Sequence, residues 1–409
     1  MPSTSADHND RVLITVTGRD RAGITATLTG ILSEQGAALH DIEQVVVQGQ
    51  LTLCLLVGLS HARDVLKELL FAAKEMGLEL DFKPVSNGGG VGGVGGVGGG
   101  GESGRRYVIT AIGRSLGADH LHALAKTLAG EGANIEKISR LSEGMLASVE
   151  IHASLGPGRD REVLKRSLLA VATKAGFDVS LQRESLYRRS KRLVVMDMDS
   201  TLIRIEVIDE LARAAGVGEA VSKITERAMQ GEMDYDESLR QRVALLAGLD
   251  VKVLDQIAND LPLTEGAETL IRVLKRLGYR TAVISGGFSR AAEALKRRLG
   301  IDYAFSNNLE IEGGRLTGRV VGPIVNAQRK AELLELIAQL EGVLLDQVIA
   351  VGDGANDVLM LEKAGLGIAF HGKTKLREAA DTSISASGLD AILYLLGISG
   401  RELQEVDSG

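Results

Sequence analysis

Four short apolar runs constrain the C-terminal half of the chain. Residues 193–196, 281–284, 348–351 and 365–370 are each the length of one buried strand, and longer stretches of helical spacing separate them. Such alternation predicts a parallel, doubly wound, Rossmann-like α/β sheet. Ligands bind such sheets at the carboxyl ends of the strands. Three of the runs end in polar clusters there: Asp197-Met198-Asp199-Ser200-Thr201, Ser285-Gly286-Gly287 and Gly352-Asp353-Gly354-Ala355-Asn356-Asp357. One such cluster alone reads as a helix cap or a turn. Three in order along one sheet edge point to a shared site.

The chemistry of that edge follows from its residue types. Asp197 and Asp199, two residues apart, can offer one phosphate both a nucleophile and a proton donor. Converging carboxylates repel one another and raise their pKa values. A bound Mg²⁺ removes that repulsion, because hard oxygen ligands suit it. Ser285 and the backbone at Gly286 can donate hydrogen bonds to phosphate. Lys330 is the candidate cation to complete the cradle.

The N-terminal half reads as two copies of one pattern, βαββαβ, on either side of a glycine-rich stretch at residues 87–104. Each copy predicts a ferredoxin-like fold, with two helices on one face of an antiparallel sheet. The glycine stretch reads as a flexible linker. It matches a dinucleotide-binding fingerprint at Gly90, Gly92 and Gly95, but that fingerprint needs a strand before it and a helix opening within it, and low complexity explains the match here.

Composition narrows the remaining choices. The 409 residues are 44% apolar, which fits a globular chain of two or three domains. No apolar run is long enough to span a membrane, and the polar start lacks a signal peptide's apolar stretch. A net charge of −7 gives no reason to expect nucleic acid as a partner. The single cysteine, Cys54, lies in an apolar run and reads as a small core residue. These features together lead to the expectation of a cytoplasmic protein.

Asp-x-Asp-x-Thr, Ser-Gly-Gly, the lysine and Gly-Asp-Gly-x-Asn-Asp, in this order, resemble the haloacid-dehalogenase superfamily of phosphotransferases. The resemblance implies that Asp197 is the nucleophile and forms an aspartyl-phosphate. Asp199 would be the general acid and then the general base. Mg²⁺ would be held by Asp197, the backbone carbonyl of Asp199, and Asp353, with Asp357 in support. Lys330 and Ser285 would complete the catalytic set. The insertion after the first motif, at about residues 203–263, corresponds to that superfamily's helical cap. Within it, Glu206-Val207-Ile208-Asp209-Glu210, the segment 228–235 and the segment 238–243 resemble the phosphoserine phosphatase family. That likeness implies O-phosphoserine as substrate, and L-serine formation as the last step of serine biosynthesis. Glu206 would face the substrate ammonium and Arg242 its carboxylate, with Met229 as an apolar wall. Ser285, Gly286, Lys330 and Asn356 would line the rest of the pocket.

The two N-terminal halves resemble ACT domains, small modules that commonly bind amino acids. The loop Gly18-Arg19-Asp20-Arg21-Ala22-Gly23-Ile24 carries this likeness and implies a regulatory amino-acid site at Asp20 and Gly23. The corresponding loop of the second half, residues 113–119, departs from the pattern, so a ligand there is open. Serine is the expected effector, and a homo-oligomer, as a dimer, is the expected assembly. The domains are expected at residues 10–86, 105–184 and 185–400. Two other functions fit the same residues: phosphate transfer to another alcohol such as homoserine, and an amino-acid-binding regulator with a degenerate phosphatase core.

Overall fold

The computed structural model describes residues 10–59, 62–85, 105–143 and 147–408. The glycine-rich stretch lies outside these residues. The chain divides into two compact units, Met1–Gly99 and Gly100–Gly409.

The first unit runs β1 (Asp10–Arg19), α1 (Ile24–Glu34), β2 (Ala38–Val47), β3 (Gln50–Leu59), α2 (Ala62–Glu75) and β4 (Glu79–Val85). Its strands pair antiparallel in the order β2-β3-β1-β4. Alternation decides which face is buried. Leu51, Leu53, Leu55 and Val57 of β3 point into a core with Ile14, Val16, Leu28 and Leu69. Cys54, on the alternate face of β3, is only half-buried, because the period of two turns it away from that core.

The second unit opens with the same topology. It runs β5 (Arg105–Ile112), α3 (Ala118–Gly130), β6 (Ala133–Arg140), β7 (Ser148–Leu155), α4 (Arg161–Ala175) and β8 (Asp178–Arg183). The hydrolase-like part follows with β9 (Leu193–Met196). Four helices then fill the insertion: α5 (Val207–Ala214), α6 (Gly218–Met229), α7 (Tyr235–Ala244) and α8 (Val251–Asn259). The chain leaves and re-enters through one pair of facing segments. Arg204 N–H donates to the Pro262 carbonyl at 2.9 Å, and Thr264 N–H to the Leu202 carbonyl at 2.9 Å. The remaining elements that matter are α9 (Ala267–Arg276), β10 (Arg280–Phe288), α10 (Ser289–Leu299), β11 (Tyr303–Glu312), β12 (Arg315–Val321), α11 (Ala327–Leu340), β13 (Val348–Gly352), α12 (Val358–Lys363), β14 (Leu366–Phe370), α13 (Thr374–Ala379) and β15 (Thr382–Ile384).

Strands β11, β10, β9, β13, β14 and β15 are parallel neighbours in that order. Sequence order reverses at β9, flanked by β10 on one side and β13 on the other, which makes its carboxyl end the switch point. All four residues of β9 are buried, as a central parallel strand covered on both faces requires. One boundary differs from the sequence reading. Ser285-Gly286-Gly287 does not terminate β10, which continues to Phe288. Its pairing with β11 instead breaks between Ile284 and Phe288, so the three residues form an irregular bulge within the strand.

The two halves of this unit share one sheet of 11 strands. Strand β8 lies antiparallel to β15 through the pair Thr382 and Ser180, whose hydroxyls are 2.6 Å apart. The Asp178 carboxylate accepts the Ser385 and Ala386 N–H groups at 2.7 and 2.9 Å. Gln182 Nε2 donates to the Leu395 carbonyl at 3.0 Å, and buried Arg188 pairs with buried Glu150. Asp178 is the most exacting of these contacts, since it satisfies two amides at once. Replacing it, Asp178→Ala, should lower stability by about 1–3 kcal/mol, read as a fall in the urea midpoint with an unchanged slope. An unaltered midpoint would show that the seam does not depend on it.

Candidate active site

Asp197 follows β9 directly, and its N–H donates to the Val351 carbonyl of β13 at 2.9 Å. A turn, Met198–Leu202, then reverses the chain, with non-helical backbone at Asp199 and with Ser200 at φ 56°. That turn aims Asp197 and Asp199 into the same space. Asp197 Oδ1 accepts the Met198 N–H at 2.7 Å. Its other oxygen, Oδ2, lies 2.7 Å from Lys330 Nζ.

Lys330 projects from the first turn of α11, which Asn326 caps by accepting the Arg329 N–H at 3.0 Å. The lysine is fully buried. Its ammonium also meets Asp357 Oδ1 at 2.7 Å. Burial alone would lower its pKa, but the two carboxylates outweigh burial and hold the group far above the ordinary lysine value. Asp357 Oδ2 in turn accepts the N–H groups of Asp353 and Gly354 at 3.1 and 3.0 Å. Gly352 is glycine for lack of space, since a Cβ there would stand 2.4 Å from Asp357 Cγ.

The other carboxylates are under strain of charge. Burial raises Asp197 well above the ordinary value, Asp357 adds to this, and Lys330 opposes it. Burial, then Asp357 and Glu206, push Asp353 up to about 6, although Thr201 Oγ1 donates to it at 3.1 Å. Burial, then Glu206, push Asp199 up to about 7. Asp199 Oδ1 accepts the Val207 N–H at the start of α5 at 2.9 Å, and Oδ2 accepts the Ser285 hydroxyl at 3.0 Å. Asp197, Asp353 and Asp357 offer one oxygen each within a 4.8 Å span. A hard-oxygen set with excess negative charge fits a divalent cation such as Mg²⁺.

The expected substrate groups border this centre. Glu206 stands at the N-terminal cap of α5 and accepts the Ser200 hydroxyl at 2.8 Å. Burial raises its pKa, while Arg242 and Lys373 stabilise its charge. Arg242 sits on α7 with its Nε donating to the Ser238 carbonyl at 3.3 Å. Asn356 lies in the turn after Asp353, folded over Gly354. Met229 is the last residue of α6, and its side chain lies outside the described residues. Asp20 and Gly23 belong to the first unit. Gly23 adopts φ 97° as the cap of α1, and the exposed Asp20 donates its N–H to the Gly49 carbonyl at 2.8 Å. Sequence reasoning gave no role to Ser200, Thr201, Tyr235, Asn307 or Lys373. Ser200 and Thr201 sit inside the first motif, so adjacency was an available signal for them. The others come from distant elements.

The sequence matches the haloacid dehalogenase-like hydrolase family over residues 191–365 and ACT domain families over residues 10–83 and 106–182. Fold and site thus define a phosphatase of that hydrolase class with two ACT domains. A phosphoserine phosphatase of Streptomyces coelicolor is 42% identical over 399 residues, spanning 97% of this chain and 94% of the relative. Another, of Mycobacterium tuberculosis, is 44% identical over 401 residues, spanning 97% and 96%. The unliganded crystal structure of a probable phosphoserine phosphatase from Vibrio cholerae covers 74% of this chain and 88% of its own, with TM-score 0.59 and 34% identity. The chain belongs to the phosphoserine phosphatase family. Among the described residues, no helix is long and apolar enough to cross a membrane.

The raised carboxylates have a consequence for stability. Between the ordinary aspartate value, about 4, and about 7, folded protein keeps a proton on Asp199 that the unfolded chain releases. The folded state binds more protons across that window, so this group makes stability fall as pH rises through it. In chelator-treated protein, Asp199→Asn should therefore gain on the wild type in melting temperature between about pH 5 and pH 7.5. Parallel melting curves would contradict the raised value.

Proposed function

We propose that this enzyme hydrolyses O-phospho-L-serine to L-serine and phosphate, with Mg²⁺, through a phosphoaspartate on Asp197. The observation that carries the reading is the division of labour between two neighbouring carboxylates. Burial and Asp357 raise the Asp197 pKa, and the Lys330 ammonium 2.7 Å away works against them, toward the ionised form a nucleophile needs, a shift that a bound cation would complete. Asp199 has its pKa lifted to about 7, which lets it carry a proton near neutral pH and give it up. An Asp197 oxygen attacks phosphorus, and the bond to the serine oxygen breaks as Asp199 protonates it. Asp199, now a carboxylate, takes a proton from water. The resulting hydroxide attacks phosphorus, releasing phosphate and restoring Asp197.

Asp197 and Asp353 would hold the metal, with the Asp199 carbonyl as a further ligand and Asp357 in support. When bound, Mg²⁺ neutralises phosphoryl oxygens. The Gly286 backbone and Lys330 bind the phosphoryl group in this reading, with Ser285 lining the same pocket and its hydroxyl proton directed to Asp199. Glu206 and Arg242 give the amino acid's ammonium and carboxylate their opposite charges, and Asn356 and Met229 complete the pocket. Relatives 42% and 44% identical over nearly the whole chain carry the phosphoserine name, which supports this choice of substrate. The test is phosphate release from O-phosphoserine with Mg²⁺. Asp197→Asn should lose at least about 10³-fold in kcat. Arg242→Ala should raise KM about 10- to 100-fold, the worth of a charge-assisted carboxylate contact. An unchanged KM in Arg242→Ala would remove it from the substrate site.

The ACT domains supply a regulatory reading: serine binds at Asp20 and Gly23 of the first domain and acts on a homodimer. The left-handed Gly23 at the N-terminus of α1 leaves the helix amides facing the loop, a geometry suited to a carboxylate. Exposed Ile42, Val45, Val46 and Val47 along the edge strand β2 support self-association. Serine titration of the full chain, followed by activity and by sedimentation, tests both parts. Asp20→Ala should shift the serine response while leaving KM for O-phosphoserine unchanged. An identical serine response in the variant would place the effect at the active site.

A further inference from the structure

Gly286 and Gly287 are not required by backbone conformation, since neither has a positive φ. Space requires them. A Cβ on Gly286 would stand 2.1 Å from the Tyr235 hydroxyl oxygen, and one on Gly287 would stand 2.3 Å from Asp199 Oδ2. One residue belongs to the cap, the other to the catalytic turn, and the peptide between the glycines is clamped between them.

That peptide is held at both ends. The Gly286 carbonyl accepts the Tyr235 hydroxyl at 3.1 Å and Asn307 Nδ2 at 2.7 Å. The Asn307 amide is oriented in turn, its Oδ1 accepting the Val325 N–H at 2.8 Å. At the other end, the Gly287 N–H donates to Ser285 Oγ at 2.8 Å. The Ser285 hydroxyl is thereby left to donate its own proton, and it does so to Asp199 Oδ2 at 3.0 Å. A continuous chain of hydrogen bonds leads from a cap side chain to the proposed proton donor, and each bond polarises the next. Burial lifts the Tyr235 phenol to about 12, so it stays a donor at neutral pH.

The position of Tyr235 in the fold gives this chain a direction. It is the first residue of α7, the helix that also carries Arg242. The next residue, Asp236, accepts Asn326 Nδ2 at 3.1 Å, and Asn326 caps the helix that carries Lys330. The first turn of α7 thus rests on the two core segments that position Asp199 and Lys330.

We infer that Tyr235 is a positioning residue for the reaction: through the Gly286–Gly287 peptide and Ser285 it fixes the Asp199 carboxyl when α7 is seated on the core. This rests on the reading of Asp199 as proton donor. The test is a cycle of wild type, Tyr235→Phe, Ser285→Ala and the double variant. Each is assayed with Mg²⁺ on O-phosphoserine and on p-nitrophenyl phosphate. Tyr235→Phe should lower kcat about tenfold, the worth of one hydrogen bond, with KM within about twofold. In the Ser285→Ala background it should cost no more than about twofold, since the chain is already broken. Amide exchange at Gly287 in metal-free protein should quicken in Tyr235→Phe. A raised KM with unchanged kcat would make Tyr235 a pocket wall only and overturn the proposal, as would effects that multiply in the double variant. If only p-nitrophenyl phosphate is turned over, the substrate assignment fails and the cycle on that ester still decides. If neither is turned over, unchanged exchange at Gly287 overturns the clamp.

Discussion

The ammonium of Lys330, sealed between Asp197 and Asp357, is the contact on which the rest of the site depends. A buried lysine is expensive unless it is fully paired, and here both partners are buried as well. Three elements meet to make the arrangement: β9 delivers Asp197, α11 delivers the lysine, and the turn after β13 delivers Asp357. Removing the lysine would leave two buried carboxylates side by side with no cation between them. The geometry that serves chemistry is therefore also a condition of folding, and the nucleophile cannot drift without breaking the pairing.

One cation does not balance the cluster. Asp357 and Asp199 raise the Asp197 pKa, Glu206 raises that of Asp199, and Asp357 and Glu206 raise that of Asp353. Among the described residues, Lys330 is the cation that forms ion pairs with these aspartates, while Arg242 and Lys373 stabilise the charge of Glu206. The protein has surrounded the aspartates with N–H and O–H donors: Met198, Val207, Ser285, Thr201, and the amides of Asp353 and Gly354. Such donors orient carboxylates without cancelling their charge, which suits a centre whose remaining balance comes from ligands that bind and leave.

The sheet-edge clusters were legible because they are local: a strand's apolar run followed at once by polar residues shows in any one-dimensional reading. The doubly wound order and the repeated βαββαβ halves were legible for the same reason, through periodicity. Tyr235 lay at the end of a segment read only for its family likeness, and Asn307 and Lys373 were not legible, because each reaches the site from an element far along the chain and has no local signature. The continuation of β10 through Ser285-Gly286-Gly287 was hidden by turn-like composition. Glycines there answer to the crowding of Tyr235 and Asp199, a tertiary fact. Nothing in the residues of β8 and β15 announced that they would be neighbours, since a single pairing, Ser180 with Thr382, leaves no pattern to read.

That pairing changes what counts as a separable part. Strand β15 is three residues long and would be the open margin of the parallel sheet, with unpaired amides and carbonyls facing outward. The second ACT domain closes that margin with its own β8. Cutting the chain between the two would expose the β15 edge that β8 covers.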